Sequence, residues 1–234
     1  MEKNVKKEAW LHFCVSSIGG FMGAYAIINH CDLLASSQTS NMIHIVHNLF
    51  EPEHSLLIYM VLAALVYACG NVTYVLLHKF IKLDTKIISL GLTSVAFILV
   101  SVLNFVENSY LAMLPLFFAA PNAYAGDAGY GSSTIFSTNN IRQTVTSLTS
   151  YLIDGDIKMK RKAQFFGMTL IFFHIGVALA SVAEIFWARE SIWLGFLPLA
   201  VSSVCCMWYK EVKVFSFGKK SEALESIVEE QVNI

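Results

Sequence analysis

The chain has 234 residues, of which 56% are hydrophobic and only 14% are charged, and its net charge is −1. Soluble domains carry about 25% charged residues, so this much apolar surface indicates a chain whose main partner is a lipid bilayer. The near-neutral charge gives no support for nucleic-acid binding, and we expect no nucleic-acid partner.

Six segments contain about the 20 apolar residues that a helix needs to cross the hydrocarbon core. We predict transmembrane helices over residues 9–30, 54–78, 86–107, 109–126, 163–188 and 191–209. The N-terminal lysines followed by Ala24-Tyr25-Ala26 also resemble a cleaved signal peptide. Because Ala-Tyr-Ala recurs at residues 123–125, we favour a repeated structural element over cleavage.

Two segments between the predicted spans are richer in polar residues. Residues 33–50 and 127–153 each place a cluster of Ser, Thr, Asn and Gln before a moderately apolar stretch. Such side chains cap helix N-termini and compete with helix interiors. We interpret each segment as a short broken or re-entrant helix that begins at a polar turn. Non-helical backbone at membrane depth must be buried in protein or line a wet cavity.

The basic residues indicate the orientation of the chain in the membrane. With six spans, 14 of the 16 Lys and Arg residues fall on one side, and only Arg142 and Arg189 do not. The positive-inside rule then places residues 1–8 and the tail 210–234 in the cytoplasm.

The two polar segments are related by an offset of 99 residues. Tyr25 matches Tyr124, Thr39 matches Thr138, and Asn41 matches Asn140. The halves, residues 9–107 and 109–209, would each cross three times, so the second must be inverted relative to the first. The predicted fold is all-α, with six transmembrane helices in two inverted three-span repeats. Inverted repeats with broken helices are typical of secondary transporters.

These motifs resemble a known family. A Gly-rich first span leads to Leu34-Ala35-Ser36-Ser37-Gln38-Thr39-Ser40-Asn41, and the second half has Ala120-Pro121-Asn122-Ala123 and then Ser137-Thr138-Asn139-Asn140. Over residues 9–209 the chain resembles the YoaK-like family of bacterial membrane proteins, a family without an established function. Ser40 stands where the family has Gly, Pro121 where it has Gln, and Gly23 where members often have Asp. The resemblance implies the fold and a location in the bacterial plasma membrane.

The candidate substrate-binding residues are polar or ionisable side chains in or beside the two motifs, together with one histidine in the fifth span. They are Gln38, Thr39, Ser40, Asn41, Tyr25, Asn122, Tyr124, Thr138, Asn139, Asn140, Arg142 and His174. Arg142 is either an anion ligand or a surface charge, and we favour the surface position because a deep arginine is costly. An ionisable group at the depth of His174 marks a functional site by default, and a neutral ring bonded to a neighbouring helix is the equal alternative.

Several other features carry weaker hypotheses. His44 and His47 have a spacing that can hold a metal, but we favour interfacial histidines and predict no metal site, while a pH-sensing role stays open. Asp127 either lines a cavity or lies at the interface. Small residues at Ser16, Ser17, Gly19, Gly20 and Gly23 predict a close-packing face on the first span. The five cysteines lack framework spacing, so neither a disulfide nor a zinc site is expected.

The leading functional hypothesis is a secondary transporter or permease for a small polar molecule or ion. The alternative is a non-transporting scaffold that binds a lipid or a protein partner. No catalytic motif such as Gly-x-Ser-x-Gly or His-Glu-x-x-His occurs, so we expect neither enzymatic activity nor a cofactor. Homo-oligomer formation stays open.

Overall fold

The computed structural model describes residues 2–29, 33–35, 38–51, 55–81, 84–105, 111–124, 130–135 and 137–209. In these ranges the chain forms helices and turns and no strand. The α-helices are α1 (Glu2–Asn29), α2 (Gln38–Asn48), α3 (Ser55–Leu76), α4 (Thr85–Leu103), α5 (Leu114–Ala119), α6 (Thr138–Asp154), α7 (Ile157–Trp187) and α8 (Phe196–Tyr209). Asp127 and the predicted cytoplasmic tail, residues 210–234, lie outside the described residues.

Four helical stretches are long and apolar enough to cross a membrane, which confirms an all-helical fold of membrane type. They are residues 6–29, 56–76, 85–103 and 157–208. The last stretch is 52 residues long, more than twice the roughly 20 residues of one crossing. It contains α7, the 3₁₀ turns Ala188–Gly195 and α8.

Helix α1 lies at the centre of the bundle and packs against both α7 and α8. A Cβ on Gly20 would overlap the backbone carbonyl of Phe173, and one on Gly176 would overlap the carbonyl of Ser17. The backbones of α1 and α7 therefore touch at this crossing, which only glycine permits. The predicted close-packing face of the first span is confirmed at Gly20.

Contacts along α1 establish the direction of its neighbours. Near the start of α1, Lys7 Nζ donates to the Trp208 carbonyl at 2.9 Å, and near its end the Tyr25 hydroxyl donates to the Arg189 carbonyl at 2.7 Å. Helix α8 is therefore antiparallel to α1. The rings of His12 and Phe165 are 5.0 Å apart, and with the Gly20–Phe173 contact this makes α7 parallel to α1.

Helices α6 and α7 form an antiparallel hairpin with a tight turn. Gly155 ends α6 with a φ of 69°, a left-handed conformation that suits glycine. The Asp156 side chain then accepts a hydrogen bond from the Lys158 amide at 2.8 Å and caps α7.

The predicted fourth span, residues 109–126, is helical in most of its described part. Among the described residues the helix runs from Leu111 to Asn122, and it ends before Ala123, whose backbone is extended. Pro115 and Pro121 each stand at the start of a new helical turn, because proline lacks the N–H that a continuous helix needs.

Candidate functional site

The first polar turn is held to its short helix by one buried asparagine. Asn41, in the first turn of α2, donates from Nδ2 to the Leu34 carbonyl at 2.9 Å and accepts from the Leu34 amide at 3.3 Å. Its side chain is buried. Both ends of the Asn41 amide are thus committed to the backbone seven residues earlier.

The second polar turn repeats this arrangement. Asn140, in the first turn of α6, donates from Nδ2 to the Ser133 carbonyl at 2.8 Å, and its Oδ1 accepts from the Ser132 hydroxyl at 3.0 Å. Leu34 and Ser133 are 99 residues apart, as are Asn41 and Asn140. The repeat seen in the sequence therefore extends to the hydrogen bonds.

Both turns lie against the middle of α1. The Thr134 carbonyl lies so close to Gly19 that a Cβ there would overlap it, and the Leu34 side chain would be 3.6 Å from a Cβ on Gly23. Gly19 and Gly23 are one helical turn apart on the same face. This region, formed by Gly19 and Gly23 of α1, residues 33–35 and residues 130–135, is called the turn junction below.

The other predicted residues of the two motifs do not all point into the turn junction. Thr39, Thr138 and Asn139 are exposed, and Ser40 is half-buried. Gln38 donates to the Ala35 carbonyl at 3.3 Å, while its Oε1 is buried without a hydrogen-bond partner. Helix α2 packs on α3 and α6 packs on α7, so the two helices share the junction mainly through their first turns.

The paired tyrosines lie at opposite ends of the bundle. The Tyr25 hydroxyl bonds to the turn between α7 and α8, whereas the Tyr124 hydroxyl donates to Glu8 Oε1 at 3.1 Å near the start of α1. The Tyr124 backbone is held in place by Ser89 Oγ at 2.7 Å and by Thr134 Oγ1 at 3.0 Å. Tyr124 thus connects the turn junction to α4 and to the end of the bundle that carries Glu8.

Asn122 fastens the short segment before the second turn to α3. Its Nδ2 donates to the carbonyls of Gly70 and Phe118 at 3.2 and 3.1 Å, and its Oδ1 is buried without a hydrogen-bond partner. A Cβ on Gly70 would overlap the Phe118 carbonyl. The contact therefore requires both the amide of Asn122 and a glycine, which has no side chain, at position 70.

The two predicted charged or ionisable residues outside the turns lie on the surface of the bundle. Arg142 is exposed on α6. His174 is exposed on α7, and its Nδ1 lies 2.8 Å from the Leu170 carbonyl of the same helix. Of the two histidines proposed for a metal, His44 is half-buried and His47 lies 3.6 Å from Glu51. No group of three metal-ligating side chains occurs among the described residues.

Sequence reasoning missed the histidine that is fully buried. His12 in α1 has no exposed surface, its ring lies against Phe165, and its carbonyl accepts a hydrogen bond from Ser16 at 2.8 Å. Glu8, His12 and Ser16 are spaced by four residues, so they form a polar stripe on one face of α1. This four-residue spacing can be read from the sequence, and it indicates that His12 belongs to a polar face of α1.

One comparison with known proteins finds a family that the chain matches. The family model described as "Protein of unknown function (DUF1275)" matches residues 11–205, which is most of the chain. No curated protein and no solved structure matches this chain.

Proposed function

The chain belongs to the DUF1275 family, known as the YoaK-like family, and from that premise we propose that it is a secondary transporter or permease for a small polar molecule or ion. The proposal includes six membrane crossings in two inverted repeats. It also includes a location in the bacterial plasma membrane with both termini in the cytoplasm.

The observation that carries the proposal is the turn junction. Two stretches of non-helical backbone lie against the middle of a membrane-type helix, and each is held by an asparagine at the equivalent position. Non-helical backbone at that depth is tolerated only where it is buried in protein or lines a water-filled cavity, and a permease would use such a cavity as its path. Asn41 and Asn140 hold the first turns of α2 and α6 beside this region, and the N-terminus of a helix suits a polar or anionic solute.

The direction of the helices supports six crossings. Helices α1 and α7 run in one direction and α8 in the other, as the contacts of Lys7, Tyr25 and Gly20 indicate. Phe97 of α4 packs on Phe21, and Asn104, the residue that caps the end of α4, bonds to Tyr25, so α4 is parallel to α1.

The inverted relation is supported by the tyrosine pair. Tyr25 and Tyr124 occupy equivalent positions in the two halves, yet their hydroxyls bond at opposite ends of the bundle. An inversion of one half relative to the other has this consequence. Alternating access would follow if α2 and α6, each hinged at its polar turn, opened the junction to one side and then the other.

The scaffold alternative has its own supporting observation. A groove of about 460 Å³ lies between α3, α4 and α5, and its lining is apolar and includes Val66, Leu99 and Phe118. Such a groove suits an acyl chain. It would give the protein a lipid-binding role that needs no opening of the turn junction.

Side-specific labelling tests the proposal. In a chain whose native cysteines are replaced, Leu34→Cys and Ser133→Cys would be reconstituted in vesicles and treated with a membrane-impermeant maleimide from each side. Asp154→Cys, exposed at the end of α6, is the control that should react from one side only. A panel of metabolites and ions, ranked beforehand by thermal stabilisation, supplies the ligand.

A permease predicts that both junction cysteines react, and that the stabilising ligand raises labelling from one side while lowering it from the other. Absence of labelling from both sides, with and without ligand, would mean a sealed junction and would favour the scaffold alternative.

A further inference from the structure

We propose that an anionic phospholipid with a single phosphate, such as phosphatidylglycerol, binds a groove between the first halves of α1 and α7. The groove has a volume of about 580 Å³. This is within the roughly 300–1,000 Å³ of pockets that hold medium-sized ligands. This site is distinct from the turn junction and does not depend on transport.

The groove has a cationic end. Lys6 of α1 and Arg161 of α7 line it together with Gln164, and all three side chains are exposed. Two cations and an amide donor can neutralise and bond a phosphodiester, and arginine matches the geometry of phosphate oxygens. Basic pockets between membrane helices on the cytoplasmic side bind anionic lipid headgroups.

The rest of the groove is apolar and runs away from these cations. Because α1 and α7 are parallel, the residues that follow Lys6 and Arg161 in sequence lie progressively deeper, and they include Phe13, Met168 and Ile171. From Arg161 to Ile171 the helix rises about 15 Å. This is half of the roughly 30 Å hydrocarbon core, so the groove has the length of one acyl chain in one leaflet.

Aromatic side chains indicate that the cationic end lies at headgroup level. Lys7 lies 4.9 Å from the centre of the Trp208 ring, and Trp10 is half exposed beside Phe13. Tryptophan concentrates at the membrane–water interface. The charges at Lys6 and Arg161 therefore meet phosphates, and the apolar lining meets acyl chains.

The test uses the purified full-length chain and native mass spectrometry with phosphatidylglycerol or phosphatidylcholine at matched concentrations. We expect the wild type to retain phosphatidylglycerol preferentially. Each cation near an anionic surface contributes about fivefold to the affinity for the lipid. The double variant Lys6→Gln/Arg161→Gln should therefore lower the apparent affinity for phosphatidylglycerol by about 30-fold. The matched control Lys79→Gln/Lys158→Gln removes two exposed cations outside the groove and should retain the preference.

A second variant tests the apolar part without changing charge. Ala9→Trp would fill the groove and should lower phosphatidylglycerol binding while the cations remain. Equal binding of both lipids by the wild type, or equal loss in the control variant, would overturn the inference. The double variant Lys6→Gln/Arg161→Gln could instead lose a dimer of the chain while it keeps the bound lipid. That result would assign the groove to an interface between two copies and would also overturn the inference.

Discussion

Tyr25 donates a hydrogen bond from its hydroxyl to the backbone carbonyl of Arg189, at 2.7 Å and across 164 residues of sequence. Asn104 donates to the same hydroxyl at 2.9 Å and to the same carbonyl at 3.0 Å. The end of α1, the end of α4 and the turn between α7 and α8 are thus joined at one point.

Replacing Tyr25 by Phe removes the donor to Arg189 and the acceptor for Asn104. We expect the free energy of unfolding in mixed micelles to fall by about 1–3 kcal/mol, because polar groups are left unpaired in a partly buried place. Tyr151→Phe makes the same chemical change on a half-buried ring of α6 and should change the stability by less than about 0.5 kcal/mol. Equal effects of the two variants would contradict the role assigned to Tyr25.

The asparagines of the two turns give a second prediction. Asn41→Leu and Asn140→Leu each leave a backbone carbonyl without its donor, and each should lower the free energy of unfolding by about 2 kcal/mol. Asn139→Leu is the matched control, since Asn139 is exposed beside Asn140. Denaturant titration measures all three. If Asn139→Leu is as harmful as Asn140→Leu, the side-chain bonds are not what holds the turn.

Ala188 gives a prediction of the opposite sign. It has φ 44° and ψ −126°, a strained conformation for a residue with a Cβ, with a cost on the order of 1–3 kcal/mol. Ala188→Gly should therefore raise the melting temperature. Ala178→Gly, at an exposed position within α7, should lower it, because glycine in a helix interior costs about 1 kcal/mol. A lower melting temperature for both variants would show that Ala188 is not strained.

The crossing of α1 and α7 can be tested with single methyl groups. Gly20→Ala and Gly176→Ala place a Cβ into the backbone of the partner helix, and we expect a loss of about 1–3 kcal/mol or more from overpacking. Around Gly91 of α4 there is nothing within 4 Å of a Cβ. Gly91→Ala should accordingly stabilise the chain by about 0.5–1 kcal/mol. Thermal melts that rank these three variants differently would mean that the helices do not touch at this crossing.

The sequence alone determined the membrane class and the family. A helix needs about 20 apolar residues in a row to cross the hydrocarbon core, so the four stretches that are long and apolar enough to cross can be recognised from the sequence. The offset of 99 residues also identified Asn41 and Asn140 as a pair. It did not reveal that both bond the backbone seven residues earlier, since a side chain's partner depends on where the preceding turn folds back.

Burial was decided by tertiary structure. His174 lies near the middle of an apolar helix and is exposed, while His12 lies near the start of another and is fully buried. Depth along a helix follows from sequence position, but the face that a residue presents depends on how the helix rotates against its neighbours. The contact between Gly20 and Phe173 sets that rotation for α1, and with it the residues that reach the turn junction.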